Sequence, residues 1–533
     1  MSDTHAPAEE NVDIIIVGAG AAGTAMAAAV AGRGLNVLCL EQGGWIDQTL
    51  RERSVQDHEI LGTADLSPVS EVRRAPADYP IDSTESDMTP LTWNGVGGSV
   101  AMWAGAAPRL HPSDFAVRTL DGVAEDWPIT YEELEPYYEQ AESLLRVAGL
   151  DGNPSYPPRR VGFPEPPLPV RTIGARVAAA HDELGWHWWP GSSALHGRAF
   201  DGIHNCHVHA TCPNSCPERQ AKQAGYVSWQ RSLSGGVQLR TGIRITRVVA
   251  QNGEVSGVEY LDRGGTLRPV RARRVVLAAG GLGTPRLLLM SATPEAPAGL
   301  ANSSGLVGKG LMMHPFAVVT GYFAENMDSQ QTNYENAITC QQWYETDKTR
   351  GFVRGAHWAL CSTGGPVQTA VTGGVWGPEH RADFGGRFSR GALWGIFTDD
   401  LPDDDNTVTL SERTDAAGLP GVKVTYRIPE NSMRILEFNV ERAEESLRAA
   451  GAVEVRSYSP ARAAGWHLMG TARMGSDPTK SVVNSKGETH DVAGLYICDA
   501  SAFTTGGAVN PALTVTALAF KAADHLLKTL EPN

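Results

Sequence analysis

Residues 12–41 constrain this chain more than any other stretch. Val12–Val17 is apolar except for Asp13 and stops at Gly18, the pattern of a strand buried on both faces of a parallel sheet. Ala21–Ala31 is Ala-rich and reads as a helix lying close on that sheet, ended by Gly32-Arg33-Gly34, and Leu35–Leu40 reads as a second buried strand. Between strand and helix runs Gly18-Ala19-Gly20-Ala21-Ala22-Gly23, a G-x-G-x-x-G in its required context. Gly18 allows the tight turn, Gly20 lets backbone approach a pyrophosphate, and Gly23 lets helix and strand pack closely. Glu41 closes the second strand 21 residues after Gly20, where an acid accepts hydrogen bonds from a ribose. The unit predicts a dinucleotide site without separating FAD from NAD.

With 533 residues the chain exceeds one hydrophobic core, so two domains are expected. Apolar residues at 42% and charged residues at 20% place it among folded globular proteins. A net charge of −15 argues against a nucleic-acid partner. No apolar stretch approaches the roughly 20 residues that span a bilayer, so no membrane partner is expected. The opening MSDTHAPAEENV has neither a basic region nor an apolar run, which predicts a cytoplasmic location and mostly reduced thiols for the 7 Cys.

Further along, residues 45–90 lack periodicity and read as a surface excursion. Ile129–Ala148 has a helical pattern, with Thr130 and Glu133 spaced as a capping box. Residues 151–170 are proline-rich and read as an ordered crossing between domains. Val237–Tyr260 reads as short β segments turning at Asn252-Gly253, followed by a buried strand over Arg274–Ala279. Six β runs between 316 and 428, without helices between them, predict an antiparallel sheet in a different domain. Asn431–Ala450 is an amphipathic helix; Gly494–Cys498 reads as a strand and Pro511–Leu527 as a helix that returns the chain to the first domain.

Four other segments carry chemistry: Asn94-Gly95-Val96-Gly97-Gly98-Ser99; Ala279-Gly280-Gly281-Leu282-Gly283-Thr284-Pro285-Arg286; Trp466-His467-Leu468-Met469-Gly470-Thr471; and CDASAFTTGGAVNPALTVTALA, residues 498–519. In this order, with the opening unit, they resemble the glucose–methanol–choline (GMC) family of FAD-dependent oxidoreductases. The closest branches are the sugar and glycoside oxidases, pyranose oxidase-like, and the gluconate and glucose dehydrogenase flavoproteins. The resemblance runs from Val12 to about Leu527 and is weakest in 316–464.

It implies an α/β fold with an α+β second domain. A Rossmann-like FAD-binding domain, discontinuous in sequence, would take 1–150, 220–315 and 465–533. A substrate domain with an antiparallel sheet flanked by helices would take 151–219 and 316–464. By resemblance, Gly18, Gly20, Gly23 and Glu41 hold the pyrophosphate and ribose, Gly97, Gly98 and Ser99 pass beside pyrophosphate and flavin, and Ile245 meets the adenine. Asp499 and Ala500 contact the phosphate and ribityl region, and Asn510, Pro511 and Ala512 turn into a helix facing the flavin pyrimidine. His467 and Asn510 match the catalytic pair. Oxidising an alcohol removes a hydroxyl proton while a hydride leaves the same carbon for flavin N5. A neutral imidazole suits the first task near neutral pH, and an amide orients the developing alkoxide without adding charge. Where some relatives carry a His covalently linked to FAD, this chain has Met102, so non-covalent FAD is expected. His314 reads as structural and His490 as a loop residue.

Cys206, Cys212 and Cys216 are spaced C-x₅-C-x₃-C, wider than a usual zinc site. A comparable arrangement ligates an iron–sulfur cluster in some relatives, yet reduced thiols and no metal are the expectation. Among 13 Trp, those at 186, 188, 189, 358, 376 and 394 are candidates for stacking on a sugar, each alone more in keeping with core. The sequence thus predicts oxidation of a secondary hydroxyl of a sugar or glycoside to a ketone, with oxygen or another electron acceptor and a possible homo-oligomer. The rivals are a non-sugar alcohol on the same scaffold, a redox-silent FAD-containing lyase, and a non-catalytic dinucleotide-binding protein.

Overall fold

Strand Glu10–Val17 lies inside a seven-stranded sheet, parallel to Val37–Glu41 on one side and to Leu267–Leu277 on the other. Ile14, Ile15 and Ile16 have no exposed surface, as a strand covered on both faces requires. The structure, a computed structural model, describes residues 10–46, 54–61, 64–195, 197, 206–208, 228–329 and 334–531. Gln238–Thr241 extends the sheet beyond Val37–Glu41. On the far side, the first half of Leu267–Leu277 pairs with the hairpin Arg244–Gln251/Glu254–Leu261 and its last residues pair with Leu495–Ile497. The hairpin turns at Asn252 and Gly253, both at positive φ (52° and 77°), the geometry that Asn-Gly favours. Helix Ala21–Val30 packs against Ala512–Leu530, which packs in turn against Tyr131–Leu145. The last of these carries the predicted capping box: the Glu133 amide donates to Thr130 Oγ1, and the Thr130 amide to the Glu133 carboxylate.

A second sheet of six strands is antiparallel, in the order Glu454–Tyr458, Phe316–Tyr322, Gly391–Thr398, Ala356–Cys361, Ile338–Cys340 and Trp189–Pro190. Period-two alternation splits its residues between two faces. Ala317, Val319, Ile338, Cys340, Trp358, Leu360, Trp394 and Ile396 pack with helices Thr172–Leu184 and Glu430–Ala449. Trp358 and Trp394 are wholly inside that core, so neither is a stacking platform for a sugar; Trp186 and Trp188 pack against its edge. Trp376 is 76% exposed beside His380.

Three expectations change. Helices Pro366–Thr372 and Pro378–Arg387 stand between the β runs of 316–428, which were expected to follow one another without helices. The last two β runs of 316–428, as Thr407–Thr414 and Pro420–Tyr426, leave the antiparallel sheet and form a three-stranded one. Its third member is Ile81–Ser86, inside the stretch read as a surface excursion. That strand is mostly polar (IDSTES) and half exposed at the sheet's edge, so it shows no apolar period. Among the described residues no helix is long and apolar enough to cross a membrane. No group of three or more His, Cys, Asp or Glu there is placed to hold a metal; Cys212 and Cys216 lie outside the described residues.

Candidate active site

Three helices begin at one cleft, and none is capped by its own N-cap side chain; only Gly280–Met290 meets a carboxylate at its start, that of Asp499, which accepts from the Gly280 amide. Ala21–Val30, Gly280–Met290 and Ala512–Leu530 have no side-chain acceptor at their N-caps and no acid in their first turns. Apart from the Gly280 amide, their first N–H groups are left open, and these with the partial positive charges converge where Gly20, Ala279, Gly280 and Pro511 line the cleft, a setting that favours an anion.

The glycines separate into two kinds. A Cβ on Gly23 would stand 2.0 Å from the Gly18 carbonyl oxygen, and one on Gly18 would stand 2.6 Å from that of Ala278. The fold itself demands these two. A Cβ on Gly20 would meet only Gly98 Cα at 3.7 Å, an ordinary contact, and φ there is −75°, open to any residue. Gly97 and Gly280 hold positive φ with nothing within 4 Å of a built Cβ. The protein leaves a backbone-lined cradle between the two glycine loops, shaped for something that must lie against main chain.

Of the residues singled out from sequence, Gly18, Gly20, Glu41, Gly98, Ser99, Ile245, Asp499, Ala500 and Pro511 line this cleft. Gly23 and Ala512 sit just behind it, in the helices, and Gly97 in the loop. The Glu41 carboxylate accepts from the amides of Ala19 and Gly43, both at 2.8 Å, so it fastens the first glycine loop to the next turn while facing the cleft. Burial raises its pKa against those hydrogen bonds. Asp499 ties together three segments, accepting from the Gly280 amide at 2.8 Å, Thr284 Oγ1 at 2.6 Å and the Ser501 amide at 2.9 Å. Its pKa is also raised by burial. Sequence reasoning missed Tyr79, Trp93 and Arg286, which line the cleft as well. Arg286 and Tyr79 are in contact, the guanidinium 4.4 Å from the ring centre, the one signal being the Arg at the end of the third glycine motif. Met102 is buried with Leu66, Trp93 and Trp466.

Trp466 and Leu468, on either side of His467 in the chain, and Pro511, next to Asn510, line the cleft, whereas His467 and Asn510 themselves are not among its lining residues. His467 Nε2 lies 3.3 Å from Asn510 Nδ2, and His467 Nδ1 lies 3.0 Å from His314 Nδ1. Burial, and secondarily His314, holds the His467 pKa well below 6.5; burial takes that of His314 down to about 4. Both rings are therefore neutral at neutral pH, and one proton occupies the gap between the two Nδ1 atoms. The Asn510 amide nitrogen is a donor and needs a lone pair at His467 Nε2, which puts the shared proton on His467 Nδ1, donating to His314 and leaving the His314 Nε2–H without a partner among the described residues. His467 Nε2 then carries a lone pair that accepts from the Asn510 amide. His314, read from sequence as structural, thus stands directly behind His467, at φ 51°, a left-handed conformation uncommon outside glycine. Asn510 Oδ1 is buried and meets no partner among the described residues. His490 bonds Ser481 Oγ at 2.9 Å in a loop.

Family models described as GMC oxidoreductase match residues 12–316 and 402–519. The chain belongs to the GMC oxidoreductase family. Members bind FAD, and the cradle of open glycine backbone and helix starts fits the pyrophosphate of that dinucleotide, with Glu41 lining the same cleft as an acceptor for a ribose. Among its relatives, 2-methyl-1,2-propanediol dehydrogenase of Mycolicibacterium austroafricanum is 36% identical over 97% of this chain and 95% of that protein. The fructose dehydrogenase large subunit of Gluconobacter japonicus is 27% identical over 98% of each. A crystal structure of formate oxidase shares the fold, with TM-score 0.64 and 14% identity over 98% of this chain and 99% of the other. As a GMC oxidoreductase, the chain is an enzyme acting on alcohol groups.

Proposed function

We propose that this enzyme oxidises a secondary hydroxyl of a sugar or glycoside to a ketone, with His467 as the base and Asn510 as the orienting group. The observation that carries this reading is the neutral His467 held between His314 and Asn510, next in the chain to residues that line the cleft. A hydroxyl brought to His467 Nε2 displaces the Asn510 amide hydrogen from that lone pair. The amide then donates to the alkoxide as His467 Nε2 takes its proton. The resulting imidazolium keeps its Nδ1–H on His314, whose ring spreads the charge away from a buried site. FAD, held by Gly18, Gly20, Glu41, Gly97, Gly98, Ser99, Ile245, Asp499, Ala500, Pro511 and Ala512, supplies the acceptor for the hydride that leaves the same carbon. The final electron acceptor would be oxygen or another molecule.

FAD is held non-covalently in this reading, because Met102 offers only a thioether, buried in a cluster with Leu66 and Ala101 against which Trp93 and Trp466 pack. The two sheets divide the work, the seven-stranded one carrying the cofactor site and the antiparallel one, with the Phe397 ring centre 5.5 Å from that of His467 and tilted 33° to it, roofing the substrate. The second reading is a small vicinal diol, favoured by the 36% identity to a diol dehydrogenase. Turnover with an artificial dye acceptor across sugars, glycosides and diols, with the product identified, tests both. A ketone from a sugar or glycoside supports the first, a carbonyl product from diols alone favours the second, and no turnover on any alcohol contradicts both.

A further inference from the structure

The roof over His467 carries a polar pair that the chemistry above leaves unused. In the antiparallel sheet Phe316, Phe397 and His357 are register partners on three adjacent strands, so their side chains share one face. It is the face opposite the core, since Ala317, Ile396 and Trp358 beside them belong to that core. Cys340 pairs with Trp358, so Gln341 continues the same register and stands opposite His357. The row therefore reads Phe316, Phe397, His357, Gln341. Phe397, its second member, lies 5.5 Å from His467, and the rings of Phe397 and His357 are 6.4 Å apart.

His357 is wholly buried, yet neither ring nitrogen has a hydrogen-bond partner among the described residues. Gln341, also buried, gives its amide nitrogen to His111 Nε2 at 3.1 Å and leaves Oε1 unpaired. Buried polar atoms without partners cost roughly 1–3 kcal/mol each, so three of them on neighbouring register positions beside Phe397 are open to partners from outside the chain. Burial, with His111, His187 and His314 nearby, takes the His357 pKa down to about 3, so the ring is neutral. A neutral imidazole offers one donor and one acceptor, and the Gln341 oxygen adds an acceptor. That set matches a hydroxyl, which both gives and takes a hydrogen bond. It matches neither a carboxylate, which needs two donors, nor an ammonium.

We propose that His357 and Gln341 form a specificity site for a second hydroxyl of the substrate, so that the enzyme selects polyhydroxy compounds over monohydric alcohols. This rests on the reading of His467 as the base, because the row measures the second oxygen from that residue. Nothing charged is read at this point; selectivity comes from leaving the pair unsatisfied when the second oxygen is missing.

The test compares FAD-loaded wild type, His357→Phe and His357→Gln on a methyl glucopyranoside and its monodeoxy analogues, and on a vicinal butanediol against the matching butanol. Flavin bleaching is followed anaerobically and binding calorimetrically. In wild type, one deoxy analogue or the butanol loses roughly tenfold to a hundredfold in kcat/KM, mainly through KM. In His357→Phe the same ratio collapses toward one, and His357→Gln restores part of it. A purely structural role would lower the parent and deoxy compounds alike. Bleaching with equal losses for both members of each pair overturns this inference alone. Failure of every compound to bleach the flavin overturns the proposed reaction and this inference with it.

Discussion

Replacing Gly20 and Gly23 separately by Ala distinguishes a glycine required by the ligand from one required by the fold. The added methyl at position 20 meets only Gly98 Cα at 3.7 Å, and φ of −75° suits Ala. The apoprotein should hold its stability or gain up to about 1 kcal/mol, because Ala restricts the unfolded chain. The same methyl stands in the cradle between the glycine loops and holds a pyrophosphate off the amides of the helix start. Losing one or two charge-assisted hydrogen bonds costs about 2–4 kcal/mol, or roughly thirtyfold to a thousandfold in FAD affinity. At position 23 the methyl lies 2.0 Å from the Gly18 carbonyl oxygen, a backbone collision that no side-chain motion relieves. That variant should lose about 3 kcal/mol or more of apoprotein stability, overpacking at its severe end. Urea unfolding of the apoproteins and FAD titration by flavin fluorescence measure the two quantities. The reasoning is refuted if Gly20→Ala destabilises the apoprotein as much as Gly23→Ala, or if it binds FAD with wild-type affinity.

Other consequences are equally direct. Since His467 must be neutral to accept a proton and its pKa lies well below 6.5, kcat/KM should be flat above pH 6.5 and fall only at more acid pH. His314→Ala admits solvent and removes the second cause of that depression, so the acid limb moves up toward pH 6.5 and kcat drops as the tautomer is no longer fixed; an unmoved limb argues against the pairing. His467→Ala should cost about 10²–10⁴ in the rate of flavin reduction, by stopped flow, with FAD still bound. Arg354 is buried against Asp114 and Asp399, 3.1 Å from the latter, so Arg354→Met strands two buried carboxylates. About 3–5 kcal/mol should be lost in urea unfolding, largest near neutral pH and smaller in acid, where Asp399, raised to about 6, takes up a proton.

The opening βαβ unit was legible because much of it interacts within thirty positions: Gly23 forced by its collision with Gly18, an acid that binds the Ala19 amide from the end of the next strand, apolar runs buried on both faces. The helix capped by Thr130 and the Asn252-Gly253 turn were legible for the same reason. Ile81–Ser86 was not, since a polar edge strand gains its order from a partner more than three hundred residues away and leaves no period in its own sequence. His314 was visible as a residue but not as a neighbour of His467, because their contact depends on where two distant loops meet. His357 and Gln341 were silent for a further reason. Their role lies in hydrogen bonds they do not make, and a sequence shows residue types without showing which of their atoms are left over.

The most direct test of the whole account is anaerobic mixing of FAD-loaded protein with a sugar, glycoside and diol panel, followed by the flavin absorbance. The account predicts a flavoprotein spectrum that bleaches with at least one of these compounds in wild type, and bleaches far more slowly in His467→Ala. A protein that binds no FAD, or a His467→Ala variant bleached as fast as wild type, would contradict it.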